Sequence, residues 1–271
     1  MYRLPPLFRW SRSTGILLSG FFLVIGLIVY GWWPLADEYL AYIDWQGPWW
    51  LYMDWLLIGI FLFMSLAIMA RADLRTDGLI ILVGSLGGLA IESWGTRSNI
   101  WSYYTGERPP LWIIPAWPIA SLAIDRTARL LDHLFVRVRG KTRGGPLFSS
   151  LYWLTFATFF ALMVDFVAPT LDLPTTLLAL ALCASLILTP TDQRFAFLTF
   201  AAGTGLGYFL ERWGTTRQCW TYYTLETPPL FAVLAHGMAA VAFWRAGLIL
   251  KTLMRIRLPR GLPARAPDSS S

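Results

Sequence analysis

The sequence predicts an all-α membrane protein of about eight transmembrane helices, arranged as two parallel four-helix repeats with both termini cytoplasmic. Three observations predict it. The 271-residue chain is 56% hydrophobic and only 14% charged, where a soluble domain carries about a quarter charged residues. Its apolar residues gather into blocks long enough to cross about 30 Å of hydrocarbon. A twenty-residue phrase, "ESWGTRSNIWSYYTGERPPL" at 92–111, returns as "ERWGTTRQCWTYYTLETPPL" at 211–230.

In chain order the apolar blocks cover 14–33, 50–70, 78–94, 111–132, 148–168, 173–190, 194–211 and 228–250. The first is too long for a cleaved signal peptide, and its exit "YGWWPLADEYL" offers no small-residue cleavage site. With the N-terminus inside, the cytoplasmic segments hold 18 of the 22 Lys and Arg residues. Only Arg97, Arg108, Arg212 and Arg217 are left outside. The bias alternates at every crossing, as the positive-inside rule requires. The chain therefore divides into a first repeat at 1–135, a basic cytoplasmic linker at 136–147, a second repeat at 148–255 and a disordered cytoplasmic tail at 256–271. Its expected place is a bacterial inner membrane, crossed many times, with the repeated phrase on the extracytoplasmic side.

The net charge of +6 and the pI near 9.5 are explained by these topology signals, which also meet anionic headgroups. No nucleic-acid partner is expected. Cys183 and Cys219 are too few for a disulfide framework and lack CxxC spacing. His133 and His236 fall on opposite sides of the membrane, which argues against a haem or zinc site. There is no GxSxG, no P-loop and no GxGxxG before a helix. No metal or cofactor is expected, and the oligomeric state is left open.

The two phrases share twelve of twenty positions at a spacing of 119 residues. The match reaches outward to Gly84 and Gly88 opposite Gly203 and Gly207, and to Arg126 opposite Arg245. Farther upstream the halves do not align without gaps. An even number of crossings separates the copies, so the repeat is parallel, about an axis along the membrane normal. Its functional cleft belongs between the halves. "GSLGGLA" and "AAGTGLG", just before each phrase, put small residues where membrane helices pack closely.

Each phrase opens with a carboxylate at the end of an apolar helix, Glu92 and Glu211. Ionisable groups at membrane depth are costly and usually functional. Glu107 and Glu226 come later, just before Pro-Pro, and read as solvated loop residues. Asp54 and Asp165 stand near the same level at the ends of the second and fifth spans. Glu92, Glu211, Asp54 and Asp165 are therefore the candidate catalytic acids. Sharing an apolar pocket, such carboxylates hold a proton between them, which suits general-acid work. Trp94, Trp101, Tyr103 and Tyr104, with Trp213, Trp220, Tyr222 and Tyr223, are the candidate substrate-binding walls. Aromatic faces stabilise positive charge, by ~2 kcal/mol or more when desolvated. Acids beside aromatic faces in an apolar cavity suit carbocation chemistry on an isoprenoid. A structural account stands beside this one. The rings can form an interfacial belt, and Glu92 and Glu211 can pair with Arg97 and Arg217. His236, where the first copy has Trp117, reads as a buried polar contact.

The pattern acid-x-x-Gly-Thr, then Trp-x-Tyr, then Pro, resembles the integral-membrane carotenoid-modifying enzymes. These are the lycopene cyclase domain and the carotenoid hydratases of the bisanhydrobacterioruberin type. "NIWSYY" at 99–104 and "QCWTYY" at 218–223 are similar to the cyclase phrase. Glu92, Gly95, Tyr103, Thr105, Pro110, Leu111 and Trp117 look like the hydratase phrase. The resemblance implies proton-initiated ring closure or water addition on an apolar isoprenoid. The alternatives are a non-catalytic membrane subunit that binds lipid or pigment, and a small transporter.

Overall fold

The computed structural model describes residues 10–139 and 145–257. The middle of the expected linker and the expected tail from residue 258 onward lie outside the described residues. Within them the chain is mostly helical. Four helices are long and apolar enough to cross a membrane: Arg12–Gly31, Leu74–Arg97, Pro146–Phe166 and Leu230–Met254.

Local chemistry sets the helix starts. Helix α1 (Arg12–Gly31) begins after Ser11, whose hydroxyl accepts from the Thr14 amide. A short α2 (Trp33–Ala41) follows, with Pro34 in its first turn. The sequence reading did not anticipate α2. It passes by a single 3-10 turn at Trp49–Leu51 into α3 (Trp55–Met69), capped by Asp54. Helices α4 (Leu74–Arg97) and α8 (Gln193–Thr216) are capped by Asp73 and Asp192, each satisfying an amide of the first turn. Helices α6 (Pro146–Phe166) and α7 (Pro174–Leu188) each begin on a proline, which lacks the amide that would go unpaired there. Helices α5 (Ala116–Arg139) and α9 (Leu230–Arg257) follow the two copies of the repeated phrase. The fourth apolar block was expected to turn helical from residue 111, but the helix starts five residues later.

The elements recur at the spacing of the phrase. Helices α3 and α7, and helices α4 and α8, begin and end 119 residues apart. Asn99 and Gln218, just past α4 and α8, both take a left-handed φ of 55°. The common register thus extends back to Trp55 and Pro174, well upstream of where the residues themselves align. Apolar residues on lipid-facing and packing faces can exchange freely for one another, so the geometry outlives the identities. The register reaches one element further, to the 3-10 turns at Trp49–Leu51 and Ala168–Thr170, also 119 residues apart. Upstream of these the halves differ, because α2 occurs only in the first.

Two short strands, also unanticipated, join the halves. Strand β1 (Trp101–Tyr103) pairs antiparallel with β2 (Trp220–Tyr222), with Ser102 opposite Thr221. Equivalent residues pairing head to tail place a local two-fold axis at the centre of the ladder. Two further amides extend it symmetrically, Tyr104 to the Cys219 carbonyl (3.2 Å) and Tyr223 to the Ile100 carbonyl (3.1 Å).

Helices α4, α5, α8 and α9 pack together at the centre, and α1, α3, α6 and α7 flank them. Small residues permit this. A Cβ on Gly88 would lie 2.3 Å from the Trp117 side chain, and one on Gly207 would lie 2.5 Å from His236. At the end away from the strands, fully buried Asp77 pairs with Arg126. It also accepts the Asp73 amide at 2.9 Å.

Candidate functional site

The residues of each phrase converge on its opening acid. Glu92 sits in the last two turns of α4 and is 3% exposed; Glu211, in α8, is 4% exposed. Trp101 Nε1 donates to Glu92 Oε2 (3.1 Å), and Tyr103 Oη donates to Oε1 (2.9 Å). Trp220 Nε1 and Tyr222 Oη do the same for Glu211, both at 2.9 Å. Strand alternation makes this possible: residues two apart face the same side, so Trp and Tyr both turn towards the helix that precedes them.

The rest of the phrase has equally definite roles. Gly95 lies under the Trp101 indole, where an added Cβ would come within 1.8 Å of the ring, and Gly214 lies under Trp220 at 2.0 Å. Only glycine lets the indole lie on the helix at that turn. Thr96 Oγ1 donates to the Glu92 carbonyl (2.6 Å) and Thr215 Oγ1 to that of Glu211 (2.7 Å). The second tyrosines work elsewhere. The Tyr104 hydroxyl donates to the Gly31 carbonyl at the end of α1, and that of Tyr223 to the Phe166 carbonyl at the end of α6 (2.7 Å). Trp94 Nε1 bonds Thr176 Oγ1 (3.1 Å), and Trp213 Nε1 bonds Asp54 Oδ2 (2.8 Å). Tyr104 and Tyr223 are therefore ties between elements and do not line the cavity described next.

Both acids line one cavity of about 590 Å³ between the halves, walled largely by apolar side chains. The rings cross over at its motif end. Trp101 lies 6.0 Å from Tyr222, and Tyr103 lies 5.9 Å from Trp220. Burial and the nearby Glu92 carboxyl push the Tyr103 phenol well above its usual range, and burial with Glu211 does the same for Tyr222. Both therefore remain O–H donors.

Each acid has a third partner, and here the copies part. Trp117 Nε1 donates to Glu92 Oε1 (3.1 Å), whereas His236 Nε2 meets Glu211 Oε1 at 2.9 Å. The two rings stack across the local axis, 5.9 Å apart and inclined by 15°. The acids are thus linked through Trp117 and His236 as well as through the crossed rings. Trp117 and His236 are the functional candidates that the sequence reading left out of its site, although it had aligned the two positions. The expected polar contact at His236 is present.

Two of the four expected acids do not join either. Asp54 caps α3 and binds Arg217 Nε at 3.1 Å, outside the cavity lining. Asp165 is exposed, also outside it. Asp54 stands at the very start of α3 and Asp165 in the last turn of α6. Arg97 lines the cavity's rim, and no ion pair to it or from Glu92 to any Lys or Arg occurs among the described residues. No group of His, Cys, Asp and Glu suited to a metal occurs among them either. Burial pushes the Cys219 thiol up to about 12, which removes it as a nucleophile at neutral pH. No known protein-family model, curated protein or solved structure matches the chain.

Proposed function

We propose that the protein is an intramembrane enzyme that begins carbocation chemistry, ring closure or hydration, on an isoprenoid double bond. The observation that carries it is the placing of two buried carboxyls, held by aromatic donors, in one apolar cavity. In this reading eight helices cross the bilayer as two parallel repeats, α2 lies apart from them, both termini are cytoplasmic, and the motif end is extracytoplasmic.

The third partners divide the work. All three groups on Glu92 donate to it, and two of them are indoles, whose N–H can only donate. Glu92 thus serves as a fixed counter-charge for a cation. The Glu211–His236 contact can carry its proton on either side, because imidazole both donates and accepts. That pair gives a proton to a substrate C=C bond, whose π electrons form the new C–H bond and leave a cation on the adjacent carbon. Trp101, Trp220, Tyr103 and Tyr222 stabilise this cation by their ring faces. For ring closure, a second double bond attacks the cation and the pair takes back a proton from a neighbouring carbon, forming a new C=C bond. For hydration, water adds to the cation and gives its proton to the pair.

The test is extraction of pigments and lipids from cells with and without the protein, read by chromatography and mass spectrometry. Ring closure leaves the substrate mass unchanged, and hydration adds one water. Glu92→Gln or Glu211→Gln is expected to abolish product while the protein still inserts; product from both variants at the wild-type level would remove the proposal. One observation favours a second reading, a non-catalytic pigment- or lipid-binding subunit: every donor around each acid is already engaged, as in a structural keystone. Unchanged extracts on deletion, with a stoichiometric protein complex, decide for it.

A further inference from the structure

We infer that the substrate is a long, linear isoprenoid chain that reaches the acids end-on from within the bilayer, through a gap between α4 and α7. The inference rests on the functional reading above. On α7, Leu178 and Leu182 are 59% and 57% exposed, yet both line the cavity that holds Glu92 and Glu211. Facing them on α4, Ala90 and Arg97 are also exposed and also line it. A residue that belongs at once to the outer surface and to the cavity wall marks an opening.

The counterpart seam in the other half is closed, which makes the opening one-sided. The positions equivalent to Leu178, Leu182 and Ala90 are Gly59, Phe63 and Phe209, and none of them lines the cavity. Helix α3 packs on α8 there. Asp54 ties the seam to Trp213 at 2.8 Å and to Arg217 at 3.1 Å, and the Trp32 ring closes over Trp213 at 4.8 Å. Between α4 and α7 the corresponding bond is Trp94 to Thr176, at the motif end only. Leu182 lies eight residues into α7, roughly 12 Å along the axis. The gap therefore opens at hydrocarbon depth, below the interface.

Its chemistry and direction select the occupant. Leucine and alanine walls exclude water-soluble ligands. The same cavity is lined by Leu178 and Leu182 on α7, by the two acids, and by Phe21, Ile25, Ile60 and Met64 on α1 and α3. A linear isoprenoid with an acyclic end fits such a cavity, with its reacting terminus inside and its remaining length in the bilayer.

The test uses the full chain in phosphatidylcholine–phosphatidylglycerol nanodiscs, with phytofluene, a linear polyene whose absorption overlaps tryptophan emission, as the probe. Stopped-flow quenching reads the association rate. L178W/L182W is expected to slow association about tenfold or more, within the range that interface variants span. The matched α3 variant, G59W/F63W, keeps the wild-type rate, and L178A/L182A is as fast as wild type or faster. A wild-type rate in L178W/L182W overturns the lateral route and leaves the proposed function standing. Equal slowing in the α3 variant or in L178A/L182A overturns it too, since the effect would then be general destabilisation. If the wild-type protein fails to bind phytofluene, both this inference and the isoprenoid reading fall.

Discussion

The Glu92 cluster and the Glu211 cluster use the same helix turn, the same glycine beneath an indole and the same Trp and Tyr donors, then differ in one ring. Where α5 presents Trp117, α9 presents His236. The room for both is already shared, since Gly88 and Gly207 lie against them at 2.3 and 2.5 Å from an added Cβ. The difference is therefore chemical. One copy ends in a group that can only donate, the other in a group that can exchange a proton. The two copies thus hold equivalent acids, and a single divergence at their contact point gives them different third partners. The flanks diverge the same way: one seam is zipped by Asp54, the other is left open.

The sharpest way to break this comparison is to exchange the third partners. His236→Trp makes the second copy like the first, and is expected to lower product formation by about 10²–10⁴, the usual worth of a positioned acid or base. Trp117→His should cost far less, within about one decade on the same scale. Imidazole added to His236→Ala restores product if the ring acts as a proton carrier; a merely structural ring gives no such rescue. Equal losses in both exchanges would make the two clusters functionally alike.

The glycines test the similarity instead. Gly95→Ala and Gly214→Ala each drive a methyl into an indole, at 1.8 and 2.0 Å before relaxation. Each is expected to cost about 1–3 kcal/mol, the usual range for overpacking, and by similar amounts in thermal unfolding. A silent variant on one side would show that its ring can move aside.

Smaller effects separate the seams. Asp54→Asn weakens the pair with half-exposed Arg217 but keeps an acceptor for Trp213, so the loss is on the order of 1 kcal/mol or less. Asp165→Asn should fall within about 0.5 kcal/mol, as exposed sites do. Neither should alter product formation; a variant that folds normally and makes none would return that aspartate to the site. A last variant is at Cys219, whose equivalent in the first copy is Ile100, both buried. Cys219→Ile should leave product formation unchanged and cost about 1–3 kcal/mol by unfolding, the usual range for overpacking. With its thiol raised to about 12, Cys219 should resist maleimide at neutral pH until the protein unfolds.

Much of the site was legible in the residues. Glu92, Glu211, Trp101, Tyr103, Trp220 and Tyr222 stand out because polar groups in an apolar chain, repeated at one spacing, are too costly to be incidental. Trp117 and His236 were visible only as an odd substitution, since no local pattern says that a residue 25 positions on will return to the acid. Asp54 and Asp165 failed for the converse reason. Depth along the membrane can be read from hydropathy, but the direction in which a helix end faces cannot.

Composition and pattern alone determined that this is a helical membrane-type protein, that its phrase is duplicated, and that Glu92 and Glu211 open the two copies. Those properties are local: burial of a block of apolar residues, or the cost of one buried charge, depends on the residue and its near neighbours. Only the tertiary structure decided that the two acids face one cavity, that β1 and β2 pair across a local two-fold axis, and that one seam is closed while its counterpart opens. These depend on contacts between residues more than a hundred positions apart, such as Trp101 with Tyr222 at 6.0 Å and Trp213 with Asp54 at 2.8 Å. Such contacts are chosen by packing of the whole bundle, which no stretch of the chain encodes by itself.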